Sequence, residues 1–516
     1  MLFKMLPVTS SSRSKPVSLL TGSMLLLSCC CYLYIGYGLE REQFTLLISC
    51  YLLLFAAYLQ LLKKVEQPGM NNFAGLQPDQ TALLLNRKSD LSLLIAAAIA
   101  FRIAFLFSLP ALSDDYFRFA WDGYMLHLGE NPYTILPAVY MQEAGHQTSY
   151  LMHLFKGMNS QAYFTVYPPV CQFLFGFSAS LFPGNLAGTV TVMRTGCIAA
   201  EVGTIFLLPK ILAMLHLPVR NVLIYALNPL VIIELTGNIH PEAIMIFFLV
   251  LSVFFLLKIN GQKKPAEEPS SFFSQKYSLT QPGGEAAILN HMSANGRRWL
   301  LFSALSCAAA IATKLIPLIF LPMLIKRLKW QQISIYFLVT GTAFLAMLLP
   351  FINRDLLMQW GSSLQLYFQT FEFNAGIYYL IRWAGFQIVQ YNIVQQAGPW
   401  LGIVTFIAIL VFAVREKETT VKRFFSAITW TLTIYLLLAT TVHPWYITTL
   451  VMCAAITGYK YPVVWSLLIV LSYATYQSIP YRENLLFTAI EYIAVLLVLI
   501  AELNWYRNKN HGSLVA

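Results

Sequence analysis

Long apolar runs alternate with shorter polar segments along almost the whole chain. Many runs approach twenty residues, the length that an α-helix needs to cross about 30 Å of hydrocarbon. A β-barrel would instead show segments of about ten residues with alternating hydrophobicity. The pattern predicts an all-α, polytopic transmembrane protein with about 12–14 membrane segments. The candidate segments are roughly 17–37, 43–62, 90–110, 167–183, 188–215, 219–236, 241–259, 299–325, 331–352, 397–414, 424–441, 445–459, 461–479 and 485–505.

The composition agrees with a membrane protein. The chain is 58% hydrophobic and only 11% charged, whereas a soluble domain is about 25% charged. Its net charge of +11 fits the Lys and Arg that collect in cytoplasmic loops, so we expect membrane lipids and no nucleic acid as partners. The eight cysteines lie in or beside apolar segments without a CxxC pair. This spacing predicts neither a disulfide framework nor a metal bound by cysteine.

The distribution of basic residues predicts the orientation. Lys and Arg gather in segments 63–89, 260–298 and 415–423, whereas segment 111–166 has two basic residues against five acidic ones. By the positive-inside rule, both termini lie in the cytoplasm and 111–166 lies outside. We therefore expect a multi-pass protein of the plasma (inner) membrane. The expected regions are 1–89 (first helices and a cytoplasmic loop), 90–505 (main transmembrane domain, with a flexible cytoplasmic loop at 260–298) and 506–516 (cytoplasmic tail).

Two apolar stretches disturb this alternation, and each contains a helix breaker. They include TKLIP at Thr313–Pro317 and LNP at Leu227–Pro229. We predict that each stretch forms two half-helices that turn inside the protein, where irregular backbone is tolerated if it lines a cavity. Four polar stretches then share the outer side: 111–166, 237–242, 353–396 and 442–446.

The densest group of charges in an apolar context occurs in SDDYFRFAWDG, which begins at Ser113. On a helix, Asp114, Asp115, Arg118 and Asp122 share one side, and apolar neighbours supply the other side of a short interfacial helix. Gly129 and Asn131–Pro132 are predicted to end this helix. One interpretation is structural, because carboxylates stabilise a helix N-terminus and Arg118 pairs with them. The other is an acid or base at the membrane surface, where charges so close to an apolar span mark function.

Other polar residues at the ends of apolar segments also have two interpretations each. His240 and Glu242 either bind substrate or a metal, or only begin a helix at Pro241. His443 either binds a phosphate or a sugar, or belongs to an aromatic belt at the membrane interface. Lys314 either contacts a phosphate or extends its amine to the membrane surface. Arg194 and Glu201, which lie seven residues apart, are predicted to form an ion pair within the membrane.

Several motifs together resemble the polytopic glycosyltransferases of the C superfamily (GT-C). Within that superfamily, the polyprenol-phosphate-mannose-dependent mannosyltransferases of bacteria are the most similar, and the resemblance covers about residues 90–450. The motifs, in chain order, are SDDYFRFAWDG and GENPY (113–133), VYPPV (166–170), LNPLVIIELTGNIHPEA (227–243), TKLIPLIFLP (313–322), FEFNAGIYYLI (371–381) and HPWY (443–446).

The resemblance implies a hexose donor, expected to be mannose, linked through phosphate to a polyprenol, and a glycan or lipid acceptor at the outer face. In that family an Asp of the first large external loop removes the proton of the acceptor hydroxyl, and the configuration inverts. This role falls on Asp114 or Asp115, with Asp114 slightly preferred. No cofactor is expected, although a divalent metal ion is the open alternative. The expected substrate-binding residues are Arg118, Asp122, His240, Glu242, Lys314, Asn374 and His443.

A transporter or flippase of lipid-linked or small polar substrates is the alternative function. Such proteins often carry interrupted helices at matching positions in two repeats. The two broken segments predicted here are not symmetric in this way, and the charges gather toward one face. The pattern therefore favours the enzyme.

Overall fold

The computed structural model describes residues 19–66, 78–260, 294–356, 358–363, 371–417 and 420–512. Within these ranges the chain is helical, and β pairing is limited to one isolated bridge between Phe373 and Thr441. The predicted all-α class is confirmed. The α-helices are α1 (Leu19–Tyr37), α2 (Phe44–Glu66), α3 (Pro78–Ala104), α4 (Asp115–His127), α5 (Pro137–Tyr140), α6 (Ser149–Gly157), α7 (Pro169–Leu181), α8 (Leu186–Met214), α9 (Val222–Ala226), α10 (Pro229–Val231), α11 (Glu242–Asn260), α12 (Ala294–Thr313), α13 (Trp330–Leu348), α14 (Ile377–Val389), α15 (Val394–Arg415), α16 (Val421–Leu438), α17 (Thr448–Thr457), α18 (Tyr461–Leu468) and α19 (Leu485–Gly512).

Within the described part of the chain, eight helices are long and apolar enough to cross a membrane: α1, α2, α8, α11, α13, α15, α16 and α19. A ninth span is possible if the bent pair Val219–Ala226 and Pro229–Gly237 crosses as one unit. The protein is therefore a multi-pass membrane protein. This number is lower than the predicted 12–14 because several predicted segments are short or broken. For example, the segment predicted at 461–479 is an eight-residue helix followed by a 3-10 helix, Ile469–Gln477.

Both predicted helix breaks are confirmed. Helix α9 ends at Ala226, and the next helix begins at Pro229 with a bend of 54°. The side chain of Asn228 caps the new helix by accepting hydrogen bonds from the backbone N–H groups of Leu230 and Val231. Helix α12 ends at Thr313, and a 3-10 helix, Ile316–Leu324, follows. Proline has no backbone N–H and cannot continue an α-helix from the preceding turn.

Helix α4 is confirmed, and most of its side chains are buried within the protein. Its placement at the membrane interface stays a prediction. Its Phe119 ring stacks on Phe175 of α7 with centroids 4.7 Å apart, and Trp121 packs against Phe155 of α6. Gly123 lies directly against the backbone of Phe175. The predicted stop at Gly129 is also found, since this residue has a φ of +83° and donates its N–H to the Leu126 carbonyl.

The predicted ion pair between Arg194 and Glu201 is wrong. Residues seven apart on one helix are separated by about 10 Å along its axis. Glu201 instead binds Arg102 of α3, with nitrogen–oxygen distances of 2.7 and 3.0 Å, and both side chains are fully buried. Arg194 donates to four backbone carbonyls, those of Leu106, Ser108, Thr236 and Gly237. Each arginine therefore joins separate parts of the bundle.

Some predictions fall on residues outside the described ranges. Most of the flexible loop predicted at 260–298 is among them, since residues 261–293 are not described. The basic residues before α1, part of the loop 63–89 and the end of the tail 506–516 also lie outside. These statements stay predictions.

The close contact between α4 and α7 gives a stability prediction. In Gly123→Ala the new Cβ would lie 2.3 Å from the carbonyl oxygen of Phe175, so the helices must separate at a cost of about 1–3 kcal/mol. Gly402→Ala, in α15, is the matched control because nothing lies within 4 Å of its Cβ position. This control is expected to be neutral or more stable by up to about 1 kcal/mol. Thermal unfolding in detergent measures both changes, and equal melting temperatures would contradict the packing described here.

Candidate functional site

Asp114 and Asp115 lie side by side in the chain but face different partners. Asp114 is the residue before α4, and its carboxylate forms an ion pair with Arg41 from the connection between α1 and α2. Asp115 is the first residue of α4, and its carboxylate faces Tyr167 and His240. The side chains are 33% and 22% exposed, respectively. Both carboxylates are therefore recessed but accessible.

Asp115 has the surroundings of a base. The Tyr167 hydroxyl donates to Oδ2 at 3.4 Å, and His240 Nε2 lies 3.9 Å from the same oxygen. Burial raises the pKa of Asp115 above its ordinary value, and Asp114 adds to this effect, while His240, Lys314 and Arg41 oppose it. Arg118, which pairs with Asp122, does not bind either carboxylate.

His240 is held at the end of a short π-helix, Ile232–Gly237. Its Nδ1 lies 3.0 Å from the carbonyl oxygen of Glu234, so this nitrogen carries the proton that it donates. The Nε2 atom is buried and has no hydrogen-bond partner. Ile239, just before it, has a φ of +53°, which is strained for a β-branched residue. Such strain is typical of functional sites, where the surrounding structure holds a side chain in place.

Buried polar contacts hold the strained turn and the aspartate pair together. The Glu234 carboxylate accepts hydrogen bonds from Tyr473, at 2.6 Å, and from Asn238, at 3.0 Å. The side chain of Asn238 also accepts a hydrogen bond from the backbone N–H of Leu112, which lies two residues before Asp114. Arg194 joins the same two segments through their carbonyl groups. The distance between Asp115 and His240 is therefore fixed by groups that lie behind both.

A stack of aromatic rings forms one wall of the site. Trp445 lies between His240 and His443, with ring centroids 3.7 and 4.4 Å away. His443 also stacks on Phe373 at 4.9 Å, and Phe373 stacks on Tyr476 at 6.1 Å. Burial, together with nearby cations, lowers the pKa of His443 to about 3, so this histidine is neutral. Its Nδ1 atom is buried without a hydrogen-bond partner.

Cationic groups converge on the same place. Lys314 directly follows α12, forms an ion pair with Glu242 at the start of α11, and lies 4.5 Å from the centroid of the Tyr446 ring. Arg41 lies 3.5 Å from the centroid of the Tyr476 ring. Lys314, His240 and Arg41 all act electrostatically on His443. The site therefore combines a recessed carboxylate with positive groups and a neutral histidine, an arrangement that suits proton removal next to an anionic group.

Three predicted substrate-binding residues do not join this group. Arg118 binds Asp122 at 2.8 Å and the carbonyls of Ser160 and Tyr163. Asp122 is fully buried and also accepts from Thr165 and Gln172. These contacts are those of a structural ion pair, and they offer no support for a role in binding substrate.

Asn374 is buried behind the aromatic wall rather than in the site. Its side chain donates to the Glu491 carboxylate at 3.1 and 3.2 Å, and its backbone N–H donates to Glu483 at 2.7 Å. It adjoins Phe373, which stacks on His443. These contacts suit a residue that holds the wall in place, and its predicted role in binding substrate stays a prediction.

Sequence reasoning missed Arg41, Glu234 and the contact that Tyr167 makes. Arg41 lies in a short connection, and Glu234 lies inside an apolar stretch. An acidic residue in such a stretch is a signal of function or of a buried partner, so Glu234 was detectable. Tyr167 lies in the VYPPV motif, which by itself indicates no contact with Asp115. No pattern in the sequence indicates that Arg41 reaches Asp114.

No group of three or more His, Cys, Asp or Glu side chains among the described residues is arranged to hold a metal ion. Three acidic residues of this region, Asp114, Asp122 and Glu242, each have a cationic partner: Arg41, Arg118 and Lys314, respectively. The positive charge opposite these carboxylates is supplied by the protein itself.

Comparison with known proteins gives one match. A family model described as "Alpha-(1->6)-mannopyranosyltransferase, N-terminal domain" (MptA_B family) matches residues 32–329. The match includes Arg41, the aspartate pair, His240 and Lys314. No curated protein and no solved structure matches the chain.

The pKa of Asp115 can be tested directly. We expect the carboxyl to stay protonated to a pH above its ordinary value of 3.8, because burial favours the neutral form. The measurement is an infrared titration of the carboxyl C=O band, with Asp115→Asn as the reference that lacks this band. In Lys314→Met the pKa should rise further, since the cation that opposes the shift is removed. Glu130→Gln, an exposed position, is the matched control. Ionisation at or below 3.8 in the wild-type protein would contradict the buried environment.

Proposed function

Because the chain belongs to the MptA_B family of mannosyltransferases, described as alpha-(1->6)-mannopyranosyltransferases, we propose that it transfers mannose from a polyprenyl-phosphate-linked donor to a hydroxyl of a glycan or lipid acceptor. Asp115 is the general base in this proposal. The reaction takes place at the outer face of the membrane. The observation that carries the proposal is the position of the Asp115 carboxylate, recessed between Tyr167 and His240 and next to the positive groups.

The choice of Asp115 over Asp114 rests on their partners. Asp114 is engaged by a guanidinium, so its Oδ2 atom is already occupied by an ion pair. Asp115 makes only a long contact with Tyr167 and faces His240 without a hydrogen bond. Its raised pKa brings its proton affinity closer to that of a useful base, since general-base catalysis is most effective when the pKa approaches the working pH.

The chemical step is a single displacement. The acceptor oxygen forms a bond to the anomeric carbon while its proton passes to Asp115, and the bond from that carbon to the phosphate oxygen breaks. The leaving polyprenyl phosphate takes the electron pair and gains one negative charge. Lys314 is the cation of this site proposed to stabilise that charge.

The α-linkage in the family's description restricts the anomeric configuration of the donor. A single displacement inverts the anomeric carbon, so an α-linked product requires a β-linked mannosyl phosphate. The donor's polyprenol is apolar and stays in the bilayer, which suits a site placed among apolar helices. The scarcity of Lys and Arg in segment 111–166 supports placement at the outer face.

The proposed function is tested with purified protein, β-mannosyl phosphoryl polyprenol and an oligomannoside acceptor. The wild-type protein is expected to form an α-linked product and to release polyprenyl phosphate. Asp115→Asn should reduce kcat by about 10²–10⁴-fold, because an amide cannot accept the proton. Asp114→Asn should retain more activity. The exposed Glu130→Gln is the matched control and should behave as the wild type.

Two results would reject parts of the proposal. If GDP-mannose replaces the lipid-linked donor with equal efficiency, the donor assignment is wrong. If Asp115→Asn is as active as Glu130→Gln, the base assignment is wrong. Movement of the lipid-linked donor across a vesicle membrane without any glycoside product would favour the transporter alternative.

A further inference from the structure

Arg41 brings the connection between α1 and α2 into the site. Its guanidinium forms the ion pair with Asp114 and lies over the ring of Tyr476, 3.5 Å from the ring centroid. The ring of Tyr481 lies 5.7 Å away. The side chain is only 13% exposed. A guanidinium held by a carboxylate and an aromatic face has a fixed position.

Asp114 and Asp115 are adjacent carboxylates, and only one of them is needed as the base. Two carboxylates in one site repel each other, and one of them then tends to bind a proton. Either Asp114 or Asp115 would serve as the base on sequence grounds alone, because both lie at the start of α4. Arg41 contacts only the first of them among the contacts described here. It therefore breaks the equivalence of the pair.

We propose that Arg41 is a positioning residue that binds Asp114 and so leaves Asp115 as the base of the transfer reaction. This inference rests on the proposed function. Arg41 acts through its neighbour: it holds the Asp114 carboxylate in an ion pair, and it adds a positive charge near Asp115. In this way the first two helices of the chain contribute to the chemistry and not only to anchoring.

The ion pair predicts opposite effects of its two members on Asp115. Arg41 lowers the pKa of Asp115 and Asp114 raises it. Loss of Arg41 should therefore move the ionisation of the base to higher pH, and loss of the Asp114 charge should move it to lower pH. The other groups facing Asp115 are unchanged in both variants: His240, Lys314 with its partner Glu242, and the hydroxyls of Tyr167 and Tyr476.

The experiment compares Arg41→Gln, Arg41→Lys, Asp114→Asn and the double variant Arg41→Gln with Asp114→Asn. The readouts are the acid limb of the pH profile of kcat/KM and the KM for β-mannosyl phosphoryl polyprenol. In Arg41→Gln we expect the limb to move up by about one pH unit, with the donor KM changed by less than about threefold, because no contact with the donor is lost. Arg41→Lys keeps the charge and should restore the limb to within about half a unit.

The double variant separates this role from a structural one. Its acid limb should lie between those of the two single variants, because the two charges have opposite effects and are removed together. Two outcomes overturn the inference. The first is a donor KM that rises more than about tenfold in Arg41→Gln with an unmoved limb, which would make Arg41 a donor-binding residue. The second is an unmoved limb and an unmoved KM in Arg41→Gln.

If Arg41→Gln does not fold, its thermal unfolding transition is lost. The pH profile of Asp114→Asn then tests the inference. A limb that moves to lower pH supports the inference, and an unmoved limb overturns it. Failure of the proposed function is distinguishable, because it would appear as absent transfer in the wild-type protein. In that case the infrared titration of Asp115 still measures whether Arg41→Gln raises and Asp114→Asn lowers the pKa of this carboxyl, without any turnover.

Discussion

The whole arrangement depends on one constraint: a charge buried among apolar helices must find its partner inside the protein. Leaving such a charge unpaired costs several kcal/mol, so the buried charges determine which helices meet. Arg102 joins α3 to α8 through Glu201, and Arg194 joins the end of α3 to the π-helix through four carbonyls. Arg118 and Asp122 satisfy one another beside α7. Together these contacts fix the segments on which Asp115 and His240 lie.

The same constraint applies to the polar groups around the site. Arg118 and Asp122 have several internal partners and are shielded from solvent, although Arg118 Nη2 is buried without a hydrogen-bond partner. In the site, three atoms are buried without such partners: His240 Nε2, Glu242 Oε2 and His443 Nδ1. A buried polar atom without a partner is unfavourable unless a ligand or water completes it. Glu242 Oε2 accepts hydrogen bonds, as does Nε2 of a histidine that carries its proton on Nδ1, so their meeting beside a recessed carboxylate suits the hydroxyl groups of a sugar.

The sequence predicted the elements better than their contacts. Apolar length, the breakers at Pro229 and Pro317, and the stop at Gly129 are local signals, and the structure agrees with each. Pairings between helices are not local. Glu201 has Arg194 on its own helix in the sequence, yet it binds Arg102, because side chains two turns apart cannot meet. Arg41 carries no local signal at all, since its role depends on where the loop between α1 and α2 comes to rest. For Asp115, His240 and Trp445, the sequence predicted only that they lie on the same side of the membrane. It did not predict that they meet in one site.

The site is not confined to the part of the chain that matches the family. The match, residues 32–329, contains the proposed base Asp115 together with Arg41, His240 and Lys314. The remainder supplies the aromatic wall, in which Trp445 separates the two histidines and Tyr476 lies under Arg41. Because Arg41 contacts Asp114 on one side and Tyr476 on the other, the position of the first two helices depends on the last third of the chain. A shortened chain that ended near residue 329 would keep the charged groups and lose the surface that orients them. The site therefore needs helices from the whole bundle. The boundary expected at residue 89 separates Arg41 from Asp114 and Tyr476, although the three residues are in contact.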